Sequence, residues 1–163
     1  MNSSLNPKRT VAELKELRAL TGDENGAQRV AFTPVWVKTR AWLQSKLAEL
    51  PAERHVDAAG NLWTTLRGES DKCLLIGGHM DSVPNGGWLD GCLNVVAGVE
   101  ILRRLNSQYH GRPPVTVRLV DWAAKKARAL VKVYSDHPPA QAISTWTKPA
   151  AWWTNRESNC PTH

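Results

Sequence analysis

Between Cys73 and Trp122 the chain reads strand, glycine-rich loop, helix, strand, and no other feature narrows the choice of fold as much. "CLLIGG" is apolar without alternation, which predicts a strand covered on both faces of an α/β sheet. "DGCLNVVAGVEILRRL" then sets Leu93, Val96, Val99 and Leu102 at helical intervals, and "PPVTVRLVDW" returns to strand. Strand, helix, strand is a βαβ unit, so the expected class is α/β, with a mixed sheet flanked by helices.

Upstream, "TVAE" over Thr10–Glu13 matches a capping box, followed by Val11, Leu14, Leu17 and Leu20 at helical spacing up to Gly22. A second helix is predicted from Thr33 as N-cap and Pro34 at the first helical position. Trp36, Leu43, Leu47 and Leu50 run along one face before Pro51, and this stripe is read as core. "RHVDAAGNLWTTLRGESDKCLLIGGHMD" alternates short apolar runs with turn signals at Gly60-Asn61 and Gly68–Lys72, giving two or three strands.

A length of 163 residues suits one modest domain. The net charge of +6 is unevenly placed: residues 1–122 hold 15 basic against 13 acidic side chains, and 123–163 hold 6 against 2. Without aromatic–basic interleaving or a basic amphipathic helix, the charge does not mark a nucleic-acid binder, and no membrane partner is expected. Cys73, Cys92 and Cys160 form no CxxC pair or disulfide framework. That usage, and the lack of a signal-peptide-like apolar run, predict a cytoplasmic protein.

The residues with chemistry gather at one place. His79 and Asp81 fall just past the carboxyl end of the buried strand, the edge of an open α/β sheet where ligand sites form. Asp90 follows the loop "PNGGWLDG" at the start of the next helix. A histidine there suits a metal, Asp81 is placed to accept the other ring N–H and fix the tautomer, and Asp90 is placed to bridge two cations. Plainer readings stand beside these: Asp90 as a helix cap, His79 as a hydrogen-bonded loop histidine. His55, His110, His137 and His163 show no ligand-like pairing.

The full string "GGHMDSVPNGGWLDGCLNVVAGVEILRRL" resembles the signature of the dinuclear-zinc amidohydrolase and exopeptidase family that includes aminoacylases. Within it, the string is similar to the branch of N-carbamoyl-L-amino-acid hydrolases and allantoate amidohydrolases. "QRVAFTPVWVKTRAWL" and "VDAAGNLWTTL" extend the resemblance over roughly residues 10–122. It implies the N-terminal part of a zinc-exopeptidase-like catalytic domain, acting on linear amide or ureido C–N bonds of a small molecule. Two divalent cations are implied, zinc or in some members manganese, cobalt or nickel. His79 would bind one cation, Asp90 would bridge both, and Asp81 would orient the histidine as a catalytic carboxylate. A Glu-Glu pair is implied directly after a strand like "VTVRLVDW", the first glutamate as general base toward the attacking water and the second as a metal ligand. Further histidines and an inserted domain that makes such enzymes homodimers would come from downstream.

Here the sequence departs from the family, giving Ala124, Lys125 and Lys126 where the glutamates belong. Two ammonium groups close to two divalent cations would cost on the order of several kcal/mol, and a protonated lysine offers no ligand. The following "AQAISTWTKPAAWWTNRESNCPTH" keeps no period and sets Trp146, Trp152 and Trp153 among polar residues. A shift of one base accounts for both observations. Reading the third base of each codon with the first two of the next allows GAA at both lysine positions and continues as "EEGARFG", the family's own continuation. The expectation is therefore a partial metallohydrolase domain over 1–122 and a frame-shifted, non-native, disordered tail over 123–163, in a chain without activity that does not hold the cations stably. Two rival readings remain: a family exopeptidase or aminoacylase acting on a peptide or acyl-amino acid, and a non-catalytic interaction protein with a basic tail.

Overall fold

The computed structural model describes residues 5–124. Apart from Ala123 and Ala124, the tail assigned to 123–163 lies outside the described residues. In chain order the elements are α1 (Pro7–Thr21), β1 (Gly22–Asp23), β2 (Gly26–Ala27), α2 (Pro34–Leu47), β3 (Glu53–Val56), β4 (Leu62–Leu66), β5 (Ser70–His79), α3 (Cys92–Gln108) and β6 (Val115–Trp122).

α1 starts earlier than the capping box predicts. Asn6 is the N-cap, its side chain accepting from Arg9 N at 3.1 Å, and Pro7 takes the first position. Thr10 thus lies inside the helix, and Glu13 pairs with Arg103 of α3 at 2.9 Å instead of reaching back to a cap. The buried stripe of α1 is Thr10, Glu13, Leu14, Leu17 and Thr21, while Val11 is exposed. α2 begins as its sequence predicts, with Thr33 accepting from Trp36 N and Pro34 next. Trp36, Leu43, Leu47 and Leu50 are all buried, as expected of a core stripe.

The main sheet has the order β3-β4-β6-β5. β3 with β4 and β4 with β6 run antiparallel, whereas β5 and β6 are parallel and joined through α3. The α/β class and mixed sheet follow from that βαβ unit. One expectation fails: β5 is not covered on both faces. It is an edge strand, paired only with β6 among the described residues, and Leu74 and Leu75 are 51% and 52% exposed. The continuous apolar run is the mark of a buried strand, but Leu74 and Leu75, on opposite faces, are both left half-exposed by the described elements.

Side chains alternate between sheet faces, and one face carries the core. Leu62 and Leu66 of β4 and Val117 and Leu119 of β6 pack with Leu14 and Leu17, with Trp42, Leu43 and Leu47, and with Val95, Val96, Val99 and Leu102. All three helices thus contribute to one cluster. The opposite face presents His55, Trp63, Arg118 and Trp122, with Trp63 edge-on to Trp122 at 5.6 Å and Arg118 over the Trp63 ring at 4.4 Å.

The β3–β4 connection is organised by Asp57. Its Oδ1 accepts from Ala59 N and Asn61 N, both at 2.9 Å, and its Oδ2 accepts from Asn61 Nδ2 at 2.9 Å and from Trp63 Nε1 at 2.7 Å. Burial raises the pKa of this carboxyl, but the four hydrogen bonds outweigh that and hold it below the usual aspartate value. Replacing Asp57 with alanine should cost about 1–2 kcal/mol in urea unfolding. The acid sensitivity has a definite sign. The native carboxyl titrates below its unfolded value, so its stabilisation is complete at neutral pH, begins to fall near about pH 4 and is gone below the native pKa. The gap between wild type and Asp57→Ala should close as pH falls through that window. A gap independent of pH would show that the carboxylate's charge contributes nothing.

Candidate functional site

β5 and β6 end together, with His79 opposite Trp122 in the parallel register. His79 is thus the last residue of β5 rather than a loop residue, and whatever follows β6 leaves the sheet beside it. The ring Nδ1 lies 3.0 Å from the backbone oxygen of Asp81 and 3.1 Å from Asp81 Oδ1. A proton on Nδ1 would satisfy both oxygens and set the tautomer in which an imidazole binds a cation through Nε2. Asp81 is buried, with 5% exposure.

Asp90 stands at the other end of the β5–α3 loop. It is not the N-cap residue of α3, which is Gly91. Gly91 has φ +72°, and its Cα lies against the imidazole of His79, so that a Cβ there would overlap Cε1, Nδ1 and Nε2 of the ring. The histidine from the end of β5 and the aspartate from the start of α3 are therefore brought to adjoining positions through Gly91.

Three further residues hold this loop. Asp121 of β6 is 1% exposed; its Oδ1 accepts from Met80 N at 2.8 Å and its Oδ2 from Arg40 Nε at 2.8 Å. Burial pushes the Asp121 carboxyl above the usual aspartate range, and the Arg40 guanidinium works against that rise. Arg29, wholly buried, donates to Met80 O at one end of the loop and to Trp88 O at the other. Cys92 Sγ donates to Trp88 O at 2.9 Å, and burial raises its pKa, so the thiol is an internal strut rather than a nucleophile. Sequence reasoning passed over Arg29, Asp121 and Gly91. The available signals were single charges inside apolar runs, "AQRVAF" and "VRLVDW", and a glycine between the aspartate and the helix.

The donor set fits part of a metal site. An imidazole and a carboxylate at the carboxyl end of a strand are suitable zinc or manganese donors. Among the described residues, however, no group of three or more His, Cys, Asp or Glu side chains is placed to hold a cation. Nor is any described helix long and apolar enough to cross a membrane.

The described residues thus form a mixed α/β layer with an acid–histidine pair at the carboxyl end of a parallel strand. Allantoate amidohydrolase of Escherichia coli is 32% identical over 111 residues, which make up 67% of this chain and 27% of that protein. N-carbamoyl-L-amino acid amidohydrolase of Geobacillus stearothermophilus is 38% identical over 88 residues, or 53% of this chain and 21% of its own length. The crystal structure of an amidase of the hydantoinase/carbamoylase family from Burkholderia phymatum superposes with a TM-score of 0.65 at 32% identity, covering 73% of this chain and 29% of that one. No family model matches the chain. Over the shared residues the chain belongs to the hydantoinase/carbamoylase family of amidases, whose relatives here are amidohydrolases. It spans about a quarter of the length of the curated relatives it matches.

Proposed function

We propose that the described residues are the N-terminal part of a metal-dependent hydrolase that cleaves a carbamoyl or ureido C–N bond, in an N-carbamoyl-L-amino acid or an allantoate-type substrate. We further propose that this chain does not turn such substrates over. The observation that carries the reading is the His79–Asp81 contact at the end of β5, within a segment similar to enzymes named for those two substrates. His79 and Asp90 would hold the cations, and Asp81 would keep the histidine in the ligating tautomer. When bound, such cations polarise the scissile carbonyl and acidify the attacking water. The proton must then pass to the leaving nitrogen, and that transfer needs a carboxylate close to the reacting atoms.

The register supports placing that carboxylate just after β6, since Trp122 lies opposite His79. The sequence there gives Ala124, Lys125 and Lys126, which supply neither a general base nor a ligand at neutral pH. A one-base shift near the codons for Ala123 and Ala124 restores a Glu-Glu pair.

The test joins nucleotide sequence to turnover. The alternative frame should stay open beyond Lys126 and encode the family's continuation. A gene restored by one base should hydrolyse N-carbamoyl-L-amino acids or allantoate with added Mn2+ or Zn2+. The chain as it stands should show no activity above background. Stop codons closing the other frame soon after Lys126, or zinc-dependent turnover by the present chain, would sink the proposal. Preference of the restored enzyme for dipeptides or N-acyl amino acids would move it to an exopeptidase or aminoacylase.

A further inference from the structure

We propose that Arg29 is the positioning residue of this half-site: its guanidinium ties the two ends of the β5–α3 loop, so that His79, Asp81 and Asp90 are already set in place when a divalent cation arrives. The inference rests on the metallohydrolase reading for the cation and on hydrogen bonds alone for the loop.

Arg29 lies on the segment after β2 and is fully buried. Its Nε donates to Met80 O at 2.9 Å, the residue between His79 and Asp81. Its Nη2 donates to Trp88 O at 3.3 Å and lies 3.5 Å from Cys92 Sγ, on either side of Asp90 and Gly91. Its Nη1 donates to Thr21 Oγ1 at 3.3 Å, which anchors the planar group to the end of α1. The main chain joins in as well. Arg29 N donates to Ser82 Oγ at 3.0 Å, and Ser82 N donates back to Arg29 O at 2.9 Å.

Two features set this apart from an ordinary buried arginine. First, its contacts are carbonyls, a hydroxyl and a thiol, and none of the ion pairs within 4 Å among the described residues includes it. A cation buried among neutral acceptors is costly unless opposite charge stands nearby. The charges that favour its protonated form, against the effect of burial, include Asp81 and Asp90, two of the three residues it positions. Second, the fork is what spans the loop. Only a rigid planar group with several N–H donors reaches Met80, Trp88 and Thr21 together; a lysine would place one ammonium at one of them.

Hydrogen exchange followed by NMR on the 163-residue chain tests this. In the unmodified chain the Arg29 Nε–H should exchange slowly, as a buried hydrogen-bonded donor does, and fast exchange of that proton overturns the assignment outright. In Arg29→Lys and Arg29→Met the amides of Ser82, Gly86, Asp90 and Cys92 should exchange at least about tenfold faster, while those of Thr64, Val117 and Leu119 in the central strands change less than about twofold. Lysine should not rescue, because it restores charge without the fork. A uniform acceleration at all sites would make Arg29 a general stability residue and overturn the proposal, as would unchanged loop amides.

Substoichiometric Mn2+ provides the second arm. In the unmodified chain its paramagnetic broadening should centre on His79 and Asp90, and in Arg29→Lys it should weaken and spread. An ordered loop that depends on Arg29 but gives no localised broadening overturns cation binding by this half-site and leaves the loop assignment standing. Localised broadening indifferent to both substitutions does the reverse.

Discussion

Replacing Arg40 with methionine is expected to destabilise the domain by about 3–5 kcal/mol, a large share of the stability of a fold this small. Arg40 is buried and bonds Asp121 twice, Nε to Oδ2 at 2.8 Å and Nη2 to the backbone oxygen at 3.1 Å, while Nη1 reaches Gly60 O at 2.6 Å. Its guanidinium also sits 4.4 Å from the centre of the Trp36 ring. Without it, Asp121 is left in the core with burial already raising its pKa. The variant should therefore be least impaired in acid, where Asp121 takes a proton, and lose stability as pH rises through the raised native pKa. Urea midpoints measured across pH check both magnitude and sign. The double variant Arg40→Met with Asp121→Leu should recover much of the loss, because neither charge is then stranded. A double variant as unstable as the sum of the two singles would show that packing, not charge, sets the cost. The Met80 amide loses its acceptor in Asp121→Leu, so the effect reaches the β5–α3 loop as well.

The same pair shows what the sequence did and did not disclose. The βαβ unit was legible because β5, α3 and β6 each carry their own period, and α2 because Thr33 and Pro34 are local signals with a local cause. The start of α1 was misread where two local signals compete. Asn6-Pro7 and the Thr10–Glu13 box both mark helix starts, and the choice was settled at long range by Arg103, which captures Glu13. The coverage of β5 was misread for a related reason. An apolar run records what a strand expects around it, and Leu74 and Leu75 are half-exposed because no described element covers them.

His79, Asp81 and Asp90 were legible as candidates because chemistry-bearing residues at the end of a strand stand out in one dimension. Their supports did not stand out. Arg29 acts across 51 residues to Met80 and 59 to Trp88, and Arg40 across 81 to Asp121. A lone charge in an apolar run marks such a residue as buried and hydrogen-bonded without naming its partner. Only the fold shows that both arginines converge on one loop.

Gly91 carries the other large effect. Alanine there meets two separate obstacles. The backbone holds φ +72° at the N-cap of α3, a conformation that costs a residue with a Cβ about 1–3 kcal/mol. The Cβ would also fall inside the imidazole of His79, so the ring must turn away and give up the contact between Nδ1 and Asp81. Relief by moving the backbone is blocked on the other side, where Gly91 O lies against Gly78 and accepts from Asn94 N at 3.1 Å. Gly91→Ala is thus expected to lower stability by that strain and, separately, to abolish a slowly exchanging Nδ1 proton on His79, read by imidazole nitrogen NMR. Asp81→Asn serves as the control, since it keeps the ring in place and changes only the group that Nδ1 faces. In the hydrolase proposed above, with its frame restored, displacing the His79 ring by about 1 Å should cost on the order of 100-fold in kcat. A Gly91→Ala chain that kept the His79 tautomer and lost only stability would mean that the glycine serves the helix start alone, and that the close approach of ring and backbone has no part in orienting the imidazole.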